Sequence, residues 1–172
     1  MCCKALKPDG RKPINTLEIE FEILERAYEA GVPVPKPLAH IQDTKTGQEY
    51  MLMQAITGST LEEYQAKARR VISKKDIAHF QTQLASMIAA LHKAGIYHRD
   101  LHMGNIMRDD ATGALYIIDF GQSKRIFLSE EKDSIYRHTY KKFDTTNRRF
   151  VEVHETLEDD TTILATLQSY IN

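Results

Sequence analysis

The stretch GIYHRDLHMGNIMRDDATGALYIIDFG, from Gly95 to Gly121, constrains this chain most. His98, Arg99, Asp100, His102 and Asn105 fall within eight residues of one loop, bracketed by apolar runs. NIM and LYIID are short strand-like runs, and DDATGA between them is built of turn formers. The two runs therefore read as a hairpin that returns Asp119 toward the loop carrying Asp100. Two carboxylates and an amide then converge. Asp119 offers hard oxygen to a magnesium ion. Asn105 supplies a neutral oxygen for a second ion, and Asp100 accepts or orients the proton of a hydroxyl. Phosphoryl transfer needs this set together with a cation on the phosphates, because positioning and charge stabilisation do most of its work.

The flanking segments read clearly. CCKAL is a short strand, and KPDGRKPIN is a turn-rich loop. A helix starts near Asn15 or Thr16, with Leu17, Phe21, Leu24 and Tyr28 at helical spacing and Gly31 as its stop. GVPVPKP alternates prolines, so it is an extended connector. LAHIQDTKTGQEYMLMQAI is two strands around the tip DTKTG, and a helix begins after Ser59 or Thr60. The clearest helix is SKKDIAHFQTQLASMIAALHKAG, with Ile77, Phe80, Leu84, Met87, Ile88 and Leu91 on one stripe. After Gly121 the polar segment 130–150 reads as partly helical. EDDTTILATLQSYI is a last helix with Ile163, Leu164, Leu167 and Ile171 inward.

Composition excludes several classes. The net charge of -1 makes no electrostatic case for nucleic acid or an anionic membrane surface. No apolar run approaches the roughly 20 residues of a membrane span, and the N-terminus has no signal-peptide core. Cys2 and Cys3 are adjacent, so no disulfide framework exists; they read as small apolar strand residues in a reducing, cytoplasmic setting. His40, His79, His92, His138 and His154 lack ligand spacing and read as surface or helix residues.

HRDLHMGN followed by IIDFG resembles the catalytic loop and metal-binding motif of the protein-kinase-like superfamily, in order, spacing and apolar setting. The resemblance runs from about Cys2 to Gln122. It implies an α+β, two-lobed kinase fold over residues 1–172, with a partial N-lobe at 1–56, a hinge near 54–58 and a short helical C-lobe at 59–172. It implies ATP and magnesium, or manganese in its place. Asp100 becomes the catalytic aspartate, Asn105 and Asp119 the metal ligands, and His98 the structural histidine of the loop. Arg99 matches the arginine that pairs with an activation-segment phosphate, for which Ser134, Tyr136, Thr139, Tyr140, Thr145 and Thr146 are candidates. Lys4 in CCKAL would contact the α- and β-phosphates. Glu20 would pair with it: spacing alone leaves Glu18 and Glu22 open, and counting back from GVPVP as in RIO and aminoglycoside-phosphotransferase relatives favours Glu20. Met53 would be the gatekeeper, and the backbone of Gln54, Ala55 and Ile56 would meet adenine.

Three features depart from the family pattern. No Gly-rich phosphate loop is present, and the chain starts at about the third strand of such a lobe, which reads as a truncated reading frame or else as a minimal kinase without its ATP lid. His102 stands where Ser/Thr kinases carry Lys; this resembles small-molecule and atypical kinases, whereas Arg99 resembles protein kinases. No APE follows DFG, and the short remainder is similar to that of compact bacterial effector kinases, some of which act in a host cytoplasm, and of RIO-like kinases. The expected function is ATP- and magnesium-dependent phosphotransfer to a hydroxyl, with Ser/Thr of a protein as first choice. A small-molecule kinase of the aminoglycoside, sugar or lipopolysaccharide type is one alternative. A pseudokinase or inactive fragment serving as a binding module is another. The partners expected are a nucleotide and a protein substrate, with neither nucleic acid nor membrane.

Overall fold

The computed structural model describes residues 1–5, 15–68, 73–125, 139–144, 149–154 and 158–169. Strand β1 (Cys2–Ala5) pairs antiparallel with β3 (Glu49–Met53), and β3 pairs on its other side with β2 (Pro37–Gln42), giving the order β1-β3-β2. Helix α1 (Leu17–Glu29) packs against β2 and β3. Thr16 caps it, its hydroxyl accepting the Ile19 N–H at 3.3 Å. The buried stripe of α1 is Leu17, Glu20, Ile23, Leu24 and Ala27. Phe21 is only half-buried and Tyr28 is exposed, so the inward face is rotated from the expected one. Ile23 and Ala27 take inward positions instead, beside Glu20, whose carboxylate meets the Lys4 ammonium.

Past the extended connector, β4 (Gly58–Thr60) joins β6 (Ile106–Asp109) and β7 (Leu115–Ile117) in the order β4-β6-β7. The β6–β7 pair is the expected hairpin; β4 was not expected. Gly58 makes the β4 pairing possible, since a Cβ there would lie 1.9 Å from the Arg108 carbonyl oxygen. Helix α2 (Leu61–Ala68) follows β4 directly. Helix α3 (Lys74–Lys93) starts at the cap Ser73 and buries its whole predicted stripe. It ends at Ala94, with Gly95 left-handed at φ 72°. Strand β5 (Ile96–Tyr97) leads into the catalytic-type loop and pairs with β8 (Lys124–Arg125) beyond the Asp119 turn.

The C-terminal part corrects the expectation of a helical region. Thr139–Asp144 and Arg149–His154 are antiparallel strands, β9 and β10, with Phe143 opposite Phe150. RFVEVH alternates with period two, and that pattern outweighs the polarity that favoured helix. The rest of the segment, including Ser134, Tyr136, Thr145 and Thr146, lies outside the described residues. Helix α4 (Glu158–Ser169) packs on α3, burying Ile163 and Leu167 with Leu164 partly covered; Ile171 lies outside the described residues. Among the described residues no helix is long and apolar enough to cross a membrane. The α+β class stands.

Leu84 is fully buried in the α3 stripe. Leu84→Ala is expected to cost about 2–5 kcal/mol. The measurement is urea unfolding, where the midpoint should fall at unchanged slope.

Candidate functional site

Lys4 lies on the inward face of β1, register-paired with the buried Met51. Its Nζ donates to Glu20 Oε1 at 2.6 Å and to Asp119 Oδ1 at 2.8 Å. One ammonium thus joins the first sheet, helix α1 and the turn after β7. Burial alone would lower the Lys4 pKa, but the charge of Glu20 and the bonds to both carboxylates raise it above its ordinary value. Burial lifts the Glu20 carboxyl above its usual range, against the opposing pull of Lys4, and Glu20 Oε2 has no hydrogen-bond partner. For Asp119, burial works upward, but the Lys4 hydrogen bond and charge and the Gly121 N–H hold its carboxyl below the usual range.

These three side chains line a cavity of about 490 Å³. Met53, Gln54, Ala55 and Ile56 line it too. So does Cys2, which with Cys3 is exposed rather than packed as an apolar strand residue. That volume, with apolar walls and one charged corner, suits a nucleotide-sized ligand. Asp100 and Asn105 are not part of its lining.

The loop after β5 is held from behind. His98 is fully buried, and its Nε2–H donates to the Ile118 carbonyl at 3.0 Å. The carbonyl can only accept, so this ring is the Nε2–H tautomer. Its Nδ1 is unpartnered, and burial lowers its pKa despite the nearby charge of Asp160. His98 therefore supports the turn and does not face the cavity. Arg99 and Asp119 both adopt left-handed backbone, at φ 68° and 63°. Such conformations cost about 1–3 kcal/mol and persist only where neighbours impose them.

For Arg99 the restraint is Asp160, at the start of α4. Its Oδ1 accepts the Arg99 N–H at 2.9 Å, and Oδ2 accepts the His98 N–H at 2.9 Å. His92 Nε2 also reaches Oδ2, at 2.8 Å. Burial would raise the Asp160 carboxyl, but His92 and the two backbone N–H groups hold it below its usual range. Sequence reasoning missed Asp160 and took His92 for an ordinary helix residue. No local signal marks either, since 68 positions separate the pair.

Asp100 is exposed and lies in the loop ahead of the 3₁₀ turn Met103–Asn105. Asn105 Nδ2 donates to the Asp100 carbonyl at 2.8 Å, with Asp100 Oδ2 at 3.4 Å. The Asn105 carbonyl accepts the Ile118 N–H at 3.0 Å, tying this loop to the residue before Asp119. With its nitrogen committed, the side-chain oxygen of Asn105 is the atom left for a cation, as is Oδ2 of Asp119. Both are hard oxygen donors that suit magnesium. His102 is exposed, its Nδ1 accepting the Gly104 N–H at 3.1 Å while Nε2 lies 3.9 Å from Asp100 Oδ2. Among the described residues no group of three or more His, Cys, Asp or Glu side chains is arranged to hold a metal ion.

The family model described as protein kinase domain matches residues 3–148. The chain is similar to serine/threonine-protein kinase F of Synechocystis sp., 28% identical over 120 residues, covering 65% of this chain and 24% of that protein. It is similar to the 3-deoxy-D-manno-octulosonic acid kinase of Xylella fastidiosa, 33% identical over 102 residues, covering 59% of this chain and 39% of the relative. It is also similar to serine/threonine-protein kinase RIO1 of Chaetomium thermophilum, 33% identical over 118 residues, covering 62% and 21% of the two chains. In each pair the match spans less than half of the relative's length.

Two outcomes test the support behind the loop. Asp160→Ala strands one buried and one part-buried N–H group and is expected to cost about 3 kcal/mol in urea unfolding. The second concerns His98. Below about pH 6.5 the unfolded chain takes up a proton there that the folded chain refuses, so stability falls as pH drops. Between pH 7 and 5.5 the wild type should lose about 1 kcal/mol more than His98→Asn. Parallel pH profiles would show instead that the buried ring accepts the proton.

Proposed function

The chain belongs to the protein kinase domain family, and we propose that it transfers the γ-phosphate of ATP to a hydroxyl, with a protein Ser/Thr as the acceptor. The observation that carries this reading is Lys4, bonded at 2.6 Å to Glu20 and at 2.8 Å to Asp119 in the wall of a nucleotide-sized cavity. Magnesium, when bound with ATP, supplies the charge neutralisation that lets the phosphoryl group move. Asp119 and Asn105 would hold it. Lys4, kept charged by its two carboxylates, would give up Asp119 to meet phosphate oxygens. The backbone of Gln54, Ala55 and Ile56 would meet the base, with Met53 behind it. Asp100 would orient the acceptor hydroxyl and accept its proton, and the Asn105 amide would fix the loop that carries it. Residues 1–56 would act as the nucleotide-side lobe and 59–172 as the acceptor-side lobe. Arg99 would pair with a phosphate on the following segment. Cytoplasm, including that of a host, is the setting we propose.

A small-molecule acceptor is the second reading. It is favoured by the similarity to an octulosonic acid kinase and by His102 at the position where Ser/Thr kinases carry Lys.

The test is label transfer from γ-labelled ATP, with magnesium or manganese, to a generic protein acceptor beside a panel of sugars and aminoglycosides. Asp100→Asn is expected to slow transfer about 10²–10⁴-fold, and Asp119→Ala to abolish it. Label on the sugars alone would select the second reading. No transfer by the wild type, with no thermal shift from ATP and magnesium, would leave a binding module.

A further inference from the structure

Asn15 precedes the cap of α1 and is 9% exposed. Nothing in the proposed phosphotransfer uses it. Its side-chain nitrogen donates to the carbonyls of Phe120, at 3.0 Å, and Ser123, at 2.7 Å. Its backbone N–H donates to the Gly121 carbonyl at 3.0 Å. Both amide protons and the backbone proton are therefore spent on the turn that follows Asp119. Within that turn Gly121 N–H donates to Asp119 Oδ1 at 3.3 Å, and Ser123 N–H to the Phe120 carbonyl at 3.0 Å. We propose that Asn15 is a positioning residue for Asp119: it pins the carbonyls of Phe120, Gly121 and Ser123 and so fixes the aim of the left-handed Asp119. This rests on the reading of Asp119 as a metal ligand.

Two physical points carry it. First, the hook sits at the start of an anchored helix. Thr16 caps α1 immediately after Asn15, and at the far end of the helix Arg26 Nε donates to the Ala94 carbonyl at 2.7 Å. The connector after α1 is tied as well, Pro33 accepting the Ile117 N–H at 3.0 Å. Helix α1 is thus anchored at both ends to the elements that carry the site. Second, the hook uses none of the site's ligand atoms. Helix α1 also reaches Asp119 through Glu20 and Lys4, but that route occupies Asp119 Oδ1. A cation at Asp119 and phosphates at Lys4 compete with it. The Asn15 bonds persist when that route is surrendered, and they then carry the coupling between α1 and the turn.

Asn15→Ala removes the two side-chain donors. Asn15→Asp keeps the shape and turns an acceptor toward two carbonyl oxygens. The first measurement is amide hydrogen exchange of the ligand-free protein, comparing residues 118–124 with 84–92 in α3. The second is ADP affinity with and without manganese. In both variants, exchange at 118–124 is expected to rise while 84–92 stays unchanged. The manganese concentration for half-saturation should rise about tenfold, with metal-free ADP affinity within about twofold of wild type. Unchanged exchange at 118–124 with an unchanged manganese requirement would overturn the proposal. A uniform rise that includes α3 would also overturn it, by reducing Asn15 to general stability. A wild type that binds no ADP with manganese would sink the phosphotransfer reading, while the exchange comparison would still decide whether Asn15 holds the turn.

Discussion

The buried carboxylate of Asp160 is the support on which the site rests. It accepts the N–H groups of His98 and Arg99 and the ring of His92, and so imposes a left-handed backbone on Arg99 that an arginine does not adopt unaided. From there the restraint passes forward. His98 donates to Ile118, the residue before Asp119, and Ser123 Oγ donates to the His98 carbonyl at 3.1 Å. The loop and the turn are thereby fastened to each other and to α4 by groups that never face the cavity. A buried charge is tolerated here because three donors satisfy it, which is the condition for keeping an ionised carboxylate out of water.

Facing the cavity, charge is arranged differently. Glu20 is buried with one oxygen unpartnered, a costly state that the Lys4 ammonium offsets. Lys4 in turn divides its protons between Glu20 and the half-exposed Asp119. A rigid buried carboxylate and an exposed one thus share a single cation. The exposed partner is the one that can be released. Under the proposed phosphotransfer, that asymmetry would let the corner exchange an internal ion pair for a ligand without leaving a charge stranded in the interior.

Local pattern carried most of the elements. The α3 stripe is apolar at helical spacing and buried throughout, and the β6–β7 hairpin follows from a turn between two short apolar runs. Asp119 was legible through its motif, Lys4 and Glu20 through the family resemblance alone, and the three side chains meet. Where reasoning from pattern failed, a distant partner had decided. Tyr28 lies outward because the buried face of α1 runs through Glu20, Ile23 and Ala27 instead. β9 and β10 pair with each other in a segment whose polarity argued for helix. β4 exists because Gly58 lets the Arg108 carbonyl approach, and β5 and β8 are two-residue strands with no periodicity to read.

By itself the sequence determined the identity and order of the chemical groups: a lysine on a strand, a glutamate on a helix, and Asp100, Asn105 and Asp119 at the ends of short apolar runs. Periodicity is a local property, so it survives without the fold. Only the tertiary structure decided that Asp160 and His92 brace the loop, that Asn15 grips the turn after Asp119, and that one ammonium bridges two carboxylates. Each of these contacts joins residues between 16 and 115 positions apart. A hydrogen bond is short-ranged and directional, so its partners are selected by where folding places them and leave no spacing along the chain to be read.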